Sequence, residues 1–383
     1  MLSDCNPSNP QYSTAIESCL QLFNHTDTNS HDEEIDDGAD EVLYRVLLAL
    51  VTDGSGQLPA DGFHAGFSTR RRQKICNVCK IIELVYQCSK EKVELSFQRV
   101  GHDFMNLLCV VLSTELQRHS IHPDEAPSNS RPLPDVPRSS TTRTRRVPLD
   151  GTIKAVTKII SSYARVQSAT PLIAQHNRLI TLLGCIIECS KDTISFESQH
   201  TALWILANLA CQKENSMRLI SSNRGLLHSL MRVASDPGTI FRRSTRSVWS
   251  HSYQALQVQR TALRCIVNLS FAEGIADQVI TDGDALLSSL CQLLTLPTAP
   301  FGESQRVREI IVQIKRYSVG ILLNISGTRD DNKRLLFQFQ SGLIMRTCRD
   351  AANDSGDAVI QRAATQTLAN LVIINRTVAR QSS

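Results

Sequence analysis

Four asparagines carry the most pointed chemistry in this chain. Asn208, Asn268, Asn324 and Asn370 each stand near the end of a ten-residue helical motif, and each precedes an apolar residue. The motifs are TALWILANLA (Thr201–Ala210), TALRCIVNLS (Thr261–Ser270), YSVGILLNIS (Tyr317–Ser326) and AATQTLANLV (Ala363–Val372). An amide side chain offers N–H donors and a carbonyl acceptor, with no group that titrates. Its chemistry is hydrogen bonding, to a neighbouring repeat, to water or to the backbone of a bound chain. Eight residues before the asparagines stand His200, Arg260, Arg316 and Arg362. Together with Arg264, the arginines form a candidate basic column, suited to charge-assisted hydrogen bonds with carboxylates.

The remaining reactive residues point away from catalysis. Cys76 and Cys79 form a CxxC inside an apolar helical run, without a second pair or a nearby HxxxH. Structural zinc takes four ligands, so these read as core thiols, as do Cys185 and Cys189. His102 and Asp103 follow Gly101 and start a helix. The chain has no Gly-rich phosphate loop, no GxSxG and no HExxH. The expectation is a protein without a catalytic residue, metal or cofactor, and not an enzyme.

Only helices in register can bring such residues into line. The asparagines lie 60, 56 and 46 residues apart. A helix recurring in this way marks a repeat array, in which one supersecondary unit stacks on the next. The first two intervals exceed a repeat of about 40–47 residues, and extra sequence at Ser235–Tyr253 and Leu296–Gln305 accounts for them as loops. A second element recurs downstream of the motif, ending at Gly101, Gly225, Gly283 and Gly342. A glycine there predicts a tight helix-to-helix turn at positive φ.

Composition agrees with packed helices. The 383 residues are 42% hydrophobic but only 5% aromatic, and the net charge of +4 is too weak to argue globally for nucleic acid or membrane. No apolar run reaches the ~20 residues needed to span a bilayer. Twelve cysteines, mostly in apolar helical runs, and a polar opening segment predict reduced thiols in the cytoplasm and/or nucleus. Charge is local instead. The tract DEEIDDGADE (Asp32–Glu41) is acidic, and TRRRQK (Thr69–Lys74), TRTRR (Thr142–Arg146) and RRSTR (Arg242–Arg246) are basic and read as loops. Four regions follow: an acidic arm over 1–40, degenerate repeats over 41–116, a Pro/Ser/Arg-rich insertion over 117–150, and further repeats over 151–380, degenerate at first and clear from Gln199 onward. A helix is also expected over Gln11–Phe23.

The pattern of two shorter helices, a glycine turn and a longer helix ending in Asn-apolar resembles the armadillo repeat family. The resemblance is specific over Gln199–Ile374 and weaker over Gln73–Leu112 and Gly151–Ser190. It implies an all-α, right-handed armadillo-like superhelix of about six or seven repeats. It further implies that the third helices line a concave groove, where Asn side chains bind the backbone of an extended partner segment. Importin-alpha relatives pair that Asn with a Trp four residues earlier. Here only Trp204–Asn208 matches, and Arg264, Gly320 and Gln366 replace the Trp elsewhere.

Helical geometry divides the motif independently of the family. With Asn at 0° and about 100° per residue, the positions six, five and two before it and one after fall at about 120°, 220°, 160° and 100°. These are Ala202, Leu203, Leu206 and Leu209 in one copy, and Ala262, Leu263, Ile266 and Leu269 in the next. Asn lies nearly opposite the centre of this apolar arc. The expected groove residues are Trp204, Asn208, Arg260, Arg264, Asn268, Arg316, Asn324, Arg362 and Asn370. A basic column favours an acidic extended segment of a protein partner, and the chain's own acidic arm is a candidate to dock there intramolecularly. Two alternatives stand beside this scaffold or adaptor reading. One is an importin-alpha-like receptor for basic localisation signals. The other is a nucleic-acid-associated helical-repeat protein.

Overall fold

A computed structural model describes residues 44, 47, 48, 51, 69–88, 90–120, 150–189, 194–236, 249–272, 274–297 and 304–381. All regular secondary structure among them is helical. The acidic arm, the helix expected over Gln11–Phe23, the basic clusters at 142–146 and 242–246 and most of the insertion lie outside the described residues. The chain divides into two compact units, residues 1–169 with 189–198, and residues 170–188 with 199–383.

In the first unit, α3 (Gly151–Tyr163) packs against both α1 (Thr69–Cys88) and α2 (Lys90–Ser120). Ile75, Leu107, Leu108, Ile153 and Ile160 are fully buried, and Phe104 meets Tyr163 edge-on with ring centroids 6.1 Å apart. Two sequence expectations change here. Gly101 is buried inside α2, a single 31-residue helix, where the sequence predicts a helix pair. A helical glycine costs only about 1 kcal/mol, less than the burial of Phe104, Leu107 and Leu108 just beyond it returns. TRRRQK, read as a loop, forms the first turns of α1.

Twelve helices of the second unit fall into four consecutive triplets. These are α4 (Thr170–Gln175), α5 (Asn177–Glu188) and α6 (Phe196–Leu209); α7 (Lys213–Ser222), α8 (Arg224–Ser235) and α9 (Trp249–Leu269); α10 (Ile275–Asp282), α11 (Asp284–Leu294) and α12 (Gln305–Ser326); and α13 (Asp330–Gln338), α14 (Leu343–Asp354) and α15 (Ala358–Gln381). Residues of α6 from Gln199 onward belong to this unit. The second helices α5, α8, α11 and α14 pack in succession, and so do the third helices α9, α12 and α15. Each triplet thereby buries what it could not bury alone.

The apolar arc read from the wheel is the core. Ala202, Leu203, Leu206, Leu209, Ala262, Leu263, Ile266 and Leu269 are all fully buried. The third helices are longer than the motif, however. α9 begins at Trp249, inside the segment read as a loop, and runs 21 residues. Of the glycine turns, Gly342 has φ of +81°, as expected of a left-handed cap. Gly283 turns tightly at negative φ, and a Cβ there would lie 2.0 Å from the Val279 carbonyl oxygen. Gly225 sits within α8, and Asn223, at φ −142° and ψ 89°, makes that turn instead. Buried thiols complete the core, Cys76 and Cys79 among them. Cys185 and Cys189, read from sequence as core thiols, are instead exposed and half-buried, because they fall on the outer side of α5 and just past its end. Burial pushes Cys291 up to about 11 and Cys348 up to about 12, so both stay protonated at neutral pH. No helix among the described residues is long and apolar enough to cross a membrane.

Candidate functional site: the ladder on the third helices

Every asparagine of the series except the first donates to the third helix before it. Asn268 Nδ2 reaches the Ala207 carbonyl at 2.8 Å and Cys211 Sγ at 3.2 Å. Asn324 Nδ2 reaches the Val267 carbonyl at 3.2 Å and Ser270 Oγ at 2.8 Å. Asn370 Nδ2 reaches Ser326 Oγ at 3.2 Å. Ala207 and Val267 immediately precede Asn208 and Asn268, so the contact keeps the same register from repeat to repeat. The cause is the end of the helix. α6 and α9 stop at Leu209 and Leu269, which leaves carbonyls of the last turn without intrahelical partners. The next asparagine supplies the missing N–H.

The carbonyl ends of these amides divide into two kinds. Asn208 Oδ1 accepts from Arg264 at 3.2 Å, and Asn370 Oδ1 accepts from Gln366 at 3.2 Å. Asn268 and Asn324 are half-buried, and neither shows a bond to Oδ1 among the described residues. These two atoms are open acceptors beside a pinned donor.

A second row, which the sequence reading missed, lies nine residues before each asparagine. Gln199 Nε2 donates to the Ile187 carbonyl at 3.5 Å, Gln259 to Ala234 at 2.8 Å and Gln361 to Ser355 at 2.6 Å. All three acceptors lie at the carboxyl end of the second helix of the same repeat, where carbonyls again lack partners. The regular spacing of the three glutamines was the available signal. Lys315 stands at this register in the third triplet, half-buried, and burial lowers its pKa.

The basic residues reach along the array. Arg260 donates to Gln313 Oε1 of α12 at 3.0 Å, and Arg264 reaches back to Asn208. Arg316 grips Asp357 through Nε and Nη2, with a shortest contact of 2.7 Å. That guanidinium, with the Val359 and Ile360 amides, holds the Asp357 carboxyl below the usual range. Arg362 is exposed, with no ion pair or hydrogen bond among the described residues. Arg316 is thus neutralised by an acid, whereas Arg260 and Arg264 bind neutral amides and keep their full charge. Trp204 is half-buried on α6. At the equivalent place stands Gly320, packed against α9, where a Cβ would make ordinary van der Waals contact with Val267 at 3.7 Å.

A separate concavity of about 600 Å³ opens between α7, α8 and α10, lined by Met217, Ile220, Met231 and Ile275 with His228 and Asp282 at its polar side. At the next junction α10 and α13 are tied instead, by Asn332 Nδ2 donating to Asp277 at 2.6 Å and by an Arg329–Asp277 pair at 3.5 Å. Among the described residues no group of three His, Cys, Asp or Glu side chains is placed to hold a metal ion.

No family model and no curated protein matches the sequence. Solved structures do match. The crystal structure of an engineered protein aligns over 87% of this chain and 97% of its own, at 13% identity and TM-score 0.51. Computationally designed armadillo repeat proteins for modular peptide recognition align over 78% of this chain and 93% of theirs, at 14% identity and TM-score 0.50. The chain has the armadillo-type helical-repeat fold. A further engineered protein agrees over 86% of this chain and 98% of its own, at 15% identity and TM-score 0.50. At such identities the likeness concerns the fold, and within the armadillo array the triplets described above are the repeats.

Proposed function

We propose that this armadillo-type chain is a non-enzymatic scaffold or adaptor that binds an extended, acidic protein segment along its third helices. The observation that carries this reading is charge without an acid to meet it. Arg260, Arg264 and Arg362 lie in or beside one register of the third helices, and none of them pairs with a carboxylate among the described residues. Beside them the Oδ1 atoms of Asn268 and Asn324 show no bond among the described residues, which supports a role in accepting backbone N–H groups, offered by every extended segment whatever its sequence. The designed armadillo proteins that align with the chain are described as built for peptide recognition. The missing Trp positions and the arginines in their neighbourhood disfavour a lysine-rich ligand.

The acidic tract Asp32–Glu41 has the same chemistry as the proposed ligand, and we assign it the role of an internal competitor. Equilibrium titration tests both statements. A labelled Asp/Glu-rich peptide should bind the full chain, a Lys-rich peptide of equal length should not, and removal of residues 1–40 should tighten the acidic peptide several-fold. Preference for the lysine peptide would reverse the reading. Unchanged affinity after removal would strike out the competitor.

A further inference from the structure

The arginines eight residues before the asparagines share a register but not a partner. Arg260 on α9 reaches forward to the next repeat and donates to Gln313 Oε1 on α12 at 3.0 Å. Arg316 on α12 also reaches forward, to Asp357 just before α15, with its shortest contact at 2.7 Å. The residue that receives the arginine is thus neutral in one repeat and acidic in the next. Arg362 on α15 is exposed, with no ion pair or hydrogen bond among the described residues.

Asp357 is held from its other side as well. Its Oδ1 accepts from the Val359 and Ile360 amides at 3.0 and 3.2 Å, and its own carbonyl accepts from the Gln361 amide at 3.0 Å. It is therefore the N-cap of α15, and the cap fixes the carboxylate beside Arg316 before any ligand arrives. A second carboxylate brought to Arg316 meets a guanidinium already neutralised and a like charge next to it, an arrangement that selects against it. At Arg260, Arg264 and Arg362 no such charge stands in the way.

We propose that Asp357 sets the spacing of acidic residues in the bound segment, with one acidic position at Arg260 and Arg264, a second at Arg362, and none between. The inference rests on the acidic-segment reading and sharpens it. Helices α9, α12 and α15 pack in succession. Two steps of about 8–10 Å separate the first from the last, and an extended chain covers that distance in about five or six residues. The partner is thus a segment with two acidic positions at that interval, whose uncharged middle passes over the Arg316–Asp357 pair. Asp357 acts through Arg316 and is a positioning residue for this specificity.

Two synthetic peptides of equal length test this on the full chain. Both carry glutamates roughly six residues apart, and one carries a third glutamate midway where the other has glutamine. The wild type should bind the two with equal affinity. Asp357→Asn keeps an oxygen to cap α15 and leaves Arg316 facing a neutral amide, as Arg260 and Arg264 do. That variant should bind the three-glutamate peptide roughly tenfold more tightly than the other. Adding Arg316→Gln should erase the new preference. Each preference is read within one protein, so a loss of stability alone does not create it. In Arg362→Gln, removal of one of the two end glutamates should become silent. A wild type that prefers the third glutamate overturns the spacing and leaves the acidic reading standing. So does an Asp357→Asn variant without preference, a preference that survives Arg316→Gln, or an Arg362→Gln variant in which both end glutamates still count. Binding of neither peptide overturns both.

Discussion

Leu269→Ala is expected to destabilise the second unit by about 2–5 kcal/mol. Leu269 closes α9 one residue after Asn268 and is fully buried. Its helix packs against both α8 and α12, so the walls of the resulting cavity belong to two repeats. On the α12 side, the Asn324 bonds to Val267 and Ser270, which flank Leu269 in the chain, oppose inward movement of that wall. The loss thus combines the transfer free energy of the removed methyl and methylene groups with a cavity term. Urea unfolding followed by circular dichroism measures it. Repeat arrays unfold by units, so the change belongs to the transition of α9 and its neighbours. A shift within ±0.5 kcal/mol, as at an exposed site, would mean that the apolar arc of the third helices is wrongly placed.

The second large effect concerns an asparagine that looks from sequence like a ligand-binding residue. Asn324→Ala should lower stability by about 1–3 kcal/mol, because it removes two hydrogen bonds and strips a partner from a helix-end carbonyl. Asn370→Ala removes one bond to a serine hydroxyl and one from Gln366, and should cost less. Ser270→Ala combined with Asn324→Ala closes a double-mutant cycle, and a coupling of at least about 0.5 kcal/mol is expected. Additivity of the two substitutions would place the Asn324 amide outside the ladder.

These two residues show how far the sequence carries. The burial of Leu269 follows from period alone, since 3.6 residues per turn put it with Ala262, Leu263 and Ile266 on one arc. The open arc was also legible, but what its residues do was not. A wheel places Asn324 at 0° and says nothing of α9, whose last carbonyls lie just where its amide nitrogen points. Adjacent-repeat bonding and ligand binding share one position on the wheel, and only the second helix in space separates them. The same holds for the arginines. Arg260 and Arg316 share a register, yet Asp357 happens to precede α15 and neutralises one of them, while Gln313 leaves the other charged. The glutamines at 199, 259 and 361 were visible as a spacing, but their meaning depends on where α5, α8 and α14 end.

Turns were the least legible elements. Gly283 and Gly342 serve tight junctions, whereas Gly225 and Gly101 lie inside helices. A glycine marks where a sharp turn is permitted, and packing of the flanking apolar residues decides whether it is used. At Gly101 the long buried face of α2 outweighs the local tendency to break.

Charge reversal on the third helices tests the central claim most directly. A labelled Asp/Glu-rich peptide is titrated into the wild type and into a variant carrying Arg260→Glu, Arg264→Glu and Arg362→Glu, with Arg316→Glu alone as the contrast. Each charge-assisted hydrogen bond lost is worth about 1.5–3 kcal/mol, so the triple variant should bind at least tenfold more weakly. Arg316→Glu should change the affinity far less, because Asp357 already occupies that guanidinium. Equal affinity of the triple variant and the wild type would contradict the account.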